Sequence, residues 1–150
     1  PLIRRVPLSR LALRVVVFTF TFAALFAACV PKPKQDYRVD QISQINSVTE
    51  IMRVQAHDLD PLFKKMDQAS FTEGEYAAMV KAAARLQATA VALRDRFSES
   101  YDPSFKDYAS QTHQEAEKLR ASAGSKQAPE SSRALAAIKR ACADCHKQHK

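Results

Sequence analysis

Cys142-Ala143-Asp144-Cys145-His146 is the short run of this chain whose residue types and spacing form a chemical device. Two thiols three residues apart, with an imidazole directly after the second, spell C-x-x-C-H, the signature of a covalently attached c-type haem. The spacing has a physical reason. Two thiols must reach two vinyl groups on one edge of a rigid porphyrin, and the imidazole must approach the iron from the same side. Helical steps of three and four residues return to one face, so on a helix Cys142, Cys145 and His146 address a single planar ligand. Histidine is a standard proximal ligand to haem iron. Three other readings stand beside this one. Zinc could draw on Cys142, Cys145, His146 and His149, since the run continues as C-x-x-C-H-x-x-H; structural zinc sites, however, bring ligand pairs together from separate elements. A thioredoxin-like C-x-x-C sits at a helix start after a strand, and no strand pattern precedes this one. The cysteines could also be plain core residues.

The elements that must carry this run are helical. Four segments place apolar residues at alternating three- and four-residue steps, the pattern of a helix buried on one face. The first runs through Ile45, Thr49, Met52, Ala56, Leu59, Phe63 and Met66, and Asp60-Pro61 predicts a kink or a restart with Asp60 as cap. The second runs through Tyr76, Met79, Ala83, Leu86, Ala90, Leu93 and Phe97; Thr72 and Glu75 spell a capping box, and Phe71 is placed to staple onto Tyr76. The third starts at Asp102-Pro103, carries Phe105, Ala109, Thr112, Ala116 and Leu119, and has Gly124 as its stop. The fourth follows Pro129 and carries Leu135, Ile138, Cys142, Cys145 and His149. No segment alternates with period two over a useful length. The expectation is an all-α chain, an antiparallel four-helix bundle with haem attached to its C-terminal helix. The stripes are rich in Ala and short of Leu, so a bulky apolar ligand between the helices would supply contact area that the side chains do not.

Composition narrows the functional classes. A chain of 150 residues fits one domain. Two glycines are too few for a Gly-rich phosphate loop or a turn-dense β-sandwich, and three cysteines cannot build a disulfide framework. The formal charge of +7 invites a nucleic-acid reading, but its distribution opposes one. Residues 1–28 hold Arg4, Arg5, Arg10 and Arg14 and no acid, which leaves 19 basic against 16 acidic residues, interspersed, in the remainder. A basic stripe interleaved with aromatics is absent, so no nucleic-acid partner is expected. No Ser-His-Asp set or paired-carboxylate site stands out, and the chain is not expected to be an enzyme.

Residues 1–28 have the parts of a secretory signal: a positive front, a charge-free apolar run from Val15 to Ala28, and small residues before Cys29. The run is 14 residues, short of the roughly 20 that span a bilayer core. Leu25-Phe26-Ala27-Ala28-Cys29 resembles the lipobox of bacterial lipoproteins, in which the Cys is lipidated and becomes the new N-terminus; Phe26 stands where that family usually has Leu. The resemblance implies a lipid anchor at Cys29 and a periplasmic, membrane-tethered protein. Cleavage nearby with Cys29 left free and an uncleaved anchor helix are the alternatives. Residues 29–36 read as a short polar tether, and 37–150 as the folded domain.

A C-x-x-C-H close to the end of the last of four helices resembles the class II cytochromes c, cytochrome c-prime and its low-spin relatives. The resemblance covers roughly residues 40 to 150 and is carried by Cys142-Ala143-Asp144-Cys145-His146, by the basic Lys147 and Lys150 after it, and by Ile51-Met52-Arg53 on the first helix. It implies one covalent haem held by Cys142 and Cys145, with His146 on the iron and Met52 facing the other side of the ring. In low-spin members that Met binds iron; in high-spin members the residue there does not. The first case implies a carrier of single electrons between redox partner proteins. The second implies a five-coordinate binder of nitric oxide or carbon monoxide. A homodimer through the first two helices is also in keeping with the resemblance, although no face is assigned to it. His57 and His113 read as surface residues, His149 as a neighbour of the haem edge, and Lys150 as a partner for a haem propionate or part of a frayed terminus.

Overall fold

The computed structural model describes residues 32–149; the signal-like run, Cys29 and Lys150 lie outside them. The described residues are all helical, with no strand among them, as the periodicity predicts. Four α-helices follow one another: α1 (Val48–Phe63), α2 (Glu73–Ala92), α3 (Pro103–Gly124) and α4 (Ala128–Gln148). A 3-10 helix, Val39–Gln44, precedes α1, and a π-helical turn, Leu93–Phe97, extends α2. Helix α3 packs along both α2 and α4, while α1 lies against α2 and touches α4 more lightly. Among the described residues no helix is long and apolar enough to cross a membrane.

The helix starts are written locally. Thr72 accepts a bond from the Glu75 N–H, and the Glu75 carboxylate accepts from the Thr72 N–H at 2.7 Å, closing the capping box. Phe71 meets Tyr76 edge-on at 5.6 Å. Asp102 caps α3 through the Ser104 N–H at 2.8 Å, with Pro103 in the first turn. The end of α3 departs from expectation in detail. Gly124 is the last helical residue, but the left-handed position is Lys126, with φ of 56°. The Gln127 and Lys126 N–H groups reach back to the Ser122 and Ala123 carbonyls, at 2.9 and 3.1 Å, in a Schellman-type cap.

Helix α1 corrects the sequence reading. It does not restart at Asp60; it continues through Pro61 to Phe63. Its buried face is Glu50, Ile51, Val54, Gln55, Leu59 and Leu62, about one residue out of phase with the apolar stripe read above. Thr49 is exposed, Met52 and Ala56 are half-buried, and Ile45 and Met66 lie outside the helix. The phase differs because polar groups on the inner face have partners. Glu50 accepts from the Lys34 N–H at 2.6 Å, and Gln55 donates to Thr89 at 3.0 Å. The stripes of α2 and α3 and the apolar part of α4 are buried as expected, apart from half-buried Phe97.

A polar cluster without a sequence signal ties the N-terminal segment to α1 and α2. Arg85, 3% exposed, pairs with Asp36 and lies 2.8 Å from Asp58 on α1. The guanidinium holds the Asp36 carboxyl below its usual range. With Lys34 and Asp36 both engaged, contacts with the helices begin before Tyr37, inside the stretch read as a tether.

Candidate functional site

Two apolar clusters fill the interior. One gathers Leu59, Leu62, Phe71, Met79, Leu86, Leu119, Leu135 and Ile138 with several alanines. The other gathers Ile42, Ile45, Ile51, Val54, Leu93, Phe105 and Ala109. Cys142 packs against the first, while Cys145 and Met52 pack against the second. Helix α4 therefore sets its two thiols where the two clusters meet.

A pocket opens at this junction. Met52 and Gln55 of α1, Leu93, then Phe105, Tyr108, Ala109 and Thr112 of α3, and Cys142, Cys145 and His146 of α4 line it. The enclosed space is narrow, about 30 Å³. The four residues singled out in the sequence for haem and iron, Met52, Cys142, Cys145 and His146, thus come from the two ends of the folded region to one cavity. Cys142 and Cys145 are free and half-buried, and His146 is exposed at the pocket. Cys29 lies outside the described residues.

The electrostatics keep both thiols protonated. Burial pushes the Cys142 thiol up to about 11, with Cys145 and Asp60 adding to the effect. Burial, then Asp102, raises Cys145 in the same direction. A neutral thiol is a poor thiolate ligand and a slow partner in disulfide exchange. It carries the hydrogen that adds across a carbon–carbon double bond. Among the described residues no three His, Cys, Asp or Glu side chains converge on a point that would hold a metal ion. His149, the fourth ligand of the zinc reading, is turned to the start of α3, where its Nε2 lies 3.0 Å from Ser104 Oγ. His57 is exposed beside Asp58, and His113 is half-buried with Glu117 4.0 Å away.

The donor types in the lining, two thiols and an imidazole from one helix and a thioether from another, are those that hold a covalent haem, and Leu93, Phe105 and Ala109 add apolar lining. Sequence reasoning missed Gln55 and Tyr108. Gln55 lies one helical turn beyond Met52, and that spacing alone could have brought it to the same wall. Its amide orientation is fixed by its partner: the Thr89 hydroxyl gives its proton to the Leu86 carbonyl at 2.9 Å, so the amide must offer an N–H to Thr89. No protein-family model, curated protein or solved structure matches this chain.

Proposed function

We propose that the chain is a periplasmic monohaem c-type cytochrome that carries single electrons between redox partner proteins. In this reading the four helices form an antiparallel bundle around one haem, and Cys29 carries a lipid that tethers the protein to a membrane. The observation that supports it most is the meeting of Met52 with Cys142, Cys145 and His146 in one apolar pocket.

The chain's own residues divide the work. Cys142 and Cys145 would hold the group as thioethers, each S–H adding across a carbon–carbon double bond to give a C–S and a C–H bond with no leaving group. Burial, which holds both thiols protonated, keeps that hydrogen available and disfavours the disulfide that would remove it. His146 would hold the iron through its imidazole, with Met52 on α1 as the second candidate ligand, and Leu93, Phe105 and Ala109 would keep water from the group. The bound haem supplies reversible one-electron chemistry. Held by both His146 and Met52, the iron would reorganise little and its potential would be raised.

A second reading leaves Met52 off the iron and gives a binder of nitric oxide or carbon monoxide. Gln55 and Thr112, each 8% exposed, favour it, because they add polar groups to the lining of the pocket that Met52 borders. The ferric absorption spectrum separates the two. A sulfur-to-iron charge-transfer band that disappears in Met52→Ala supports the carrier. A high-spin spectrum in the unmutated protein, with tight carbon monoxide binding, supports the gas binder. Cys29→Ser moves the protein from the membrane to the soluble fraction if the anchor is a lipid.

A further inference from the structure

We infer that His149 is a positioning residue for the attachment motif. It fastens the last turn of α4 to the first turn of α3, so that Cys145 and His146 stay on the pocket wall. The inference builds on the haem reading and names the residue that holds its site in register.

The need for a fastening follows from helix physics. Helix α4 ends at Gln148, so Cys145 and His146 lie in its last turn, where carbonyls lack intrahelical partners and ends fray. His149, just past the end, is half-buried as a residue, yet its side chain is only 5% exposed. Its N–H donates to the Cys145 carbonyl at 2.9 Å, which closes the turn that holds the second thiol. Its ring stands edge-on to Phe105, Tyr101 and Tyr108, at centroid distances of 5.4, 6.0 and 6.2 Å. Phe105 and Tyr108 also line the pocket, so the residues that cage the imidazole form the wall facing the motif.

The polar side of the ring is equally engaged. Nε2 lies 3.0 Å from Ser104 Oγ, and Nδ1 lies 3.5 Å from Asp102 Oδ2. The Ser104 hydroxyl has one proton, and Asp102 Oδ1, 2.5 Å away, is its nearest acceptor. With that proton directed to Asp102, Ser104 Oγ is free to accept an Nε2–H from the imidazole. Gln148 Oε1 lies 3.0 Å from the same hydroxyl. Asp102 and Ser104 are the capping pair of α3, so the cap of one helix also holds the end of another.

The test compares the exported full chain with His149→Ala and His149→Gln by amide hydrogen exchange and by the haem absorption spectrum. His149→Ala should speed exchange in the Cys145–Gln148 turn about tenfold or more while α2 amides keep their rates, a local opening rather than a global one. It should also split the ferric spectrum into two spin populations. His149→Gln, which keeps a donor able to reach Ser104, should recover part of both effects. Unchanged exchange and an unchanged spectrum in His149→Ala would overturn the inference. So would exchange that rises equally in α2 and α4, or a failure of both variants to fold, because His149 would then be a general stability residue. Colourless protein with the localised exchange change sinks the haem reading and leaves the fastening intact.

Discussion

Around Leu59, Leu119, Leu135 and Ile138 the helices meet through their own side chains, and the larger of these residues are wholly buried. Around Leu93, Phe105 and Ala109 the apolar residues stop at a cavity, and Met52, Cys145 and His146 stand at its edge without filling it. Both regions draw on the same helices, and both are walled by alanine and single large residues. The contrast teaches that a thin apolar stripe has two structural outcomes. Where facing alanines let helices approach, as along α2 and α3, the space closes. Where Gln55, Thr112 and two cysteines interrupt the stripe, it stays open and carries reactive groups.

The largest effect expected from breaking this contrast is at the open region. Replacing both Cys142 and Cys145 by Ala should abolish covalent haem altogether, seen as loss of haem staining on a denaturing gel. The filled region should report on stability instead. Leu119→Ala should cost about 2–5 kcal/mol in urea melts, with or without haem, because the cavity it leaves is enclosed. Met52→Ala in haem-free protein should cost less than about 2 kcal/mol, since Met52 already borders open space. Thr72→Ala should cost about 1 kcal/mol through the capping box of α2.

The same cap gives the fold a pH-dependent stability. Lys65 first, then Thr72, hold the Glu75 carboxyl down at about 2, well below its usual 4.5. A carboxylate with a lowered folded-state pKa stabilises the fold fully above its unfolded value. That contribution is lost as pH falls from about 4.5 towards about 2. Glu75→Gln should flatten this part of an acid melt. The smallest effect belongs to the α3–α4 turn: Lys126→Gly, at φ of 56°, should raise stability by up to about 1 kcal/mol.

The filled region was the more legible of the two in the sequence. Thr72, Glu75, Asp102 and Pro103 announce helix starts through local chemistry, and the stripes of α2 and α3 have few polar interruptions. Helix α1 was misphased because hydropathy counts Glu50 and Gln55 as surface residues. Their partners, the Lys34 N–H and Thr89, are distant in sequence. The Arg85 cluster escaped notice for the same reason: Asp36 and Asp58 pair with it only after folding. At the pocket, the shared placement of Cys142, Cys145 and His146 was legible because steps of three and four residues return to one helix face, and Met52 came from its stripe and the class II resemblance. Gln55, Tyr108 and the role of His149 depend on which helix faces which, and periodicity does not encode that.

The central claim meets its most direct test in the protein purified from a host competent for export and cytochrome assembly. Intact mass and a denaturing haem stain are read on the same sample. A mass increased by one haem, with colour that survives denaturation and vanishes when Cys142 and Cys145 are replaced, is the predicted result. Bare polypeptide mass with no colour would contradict it.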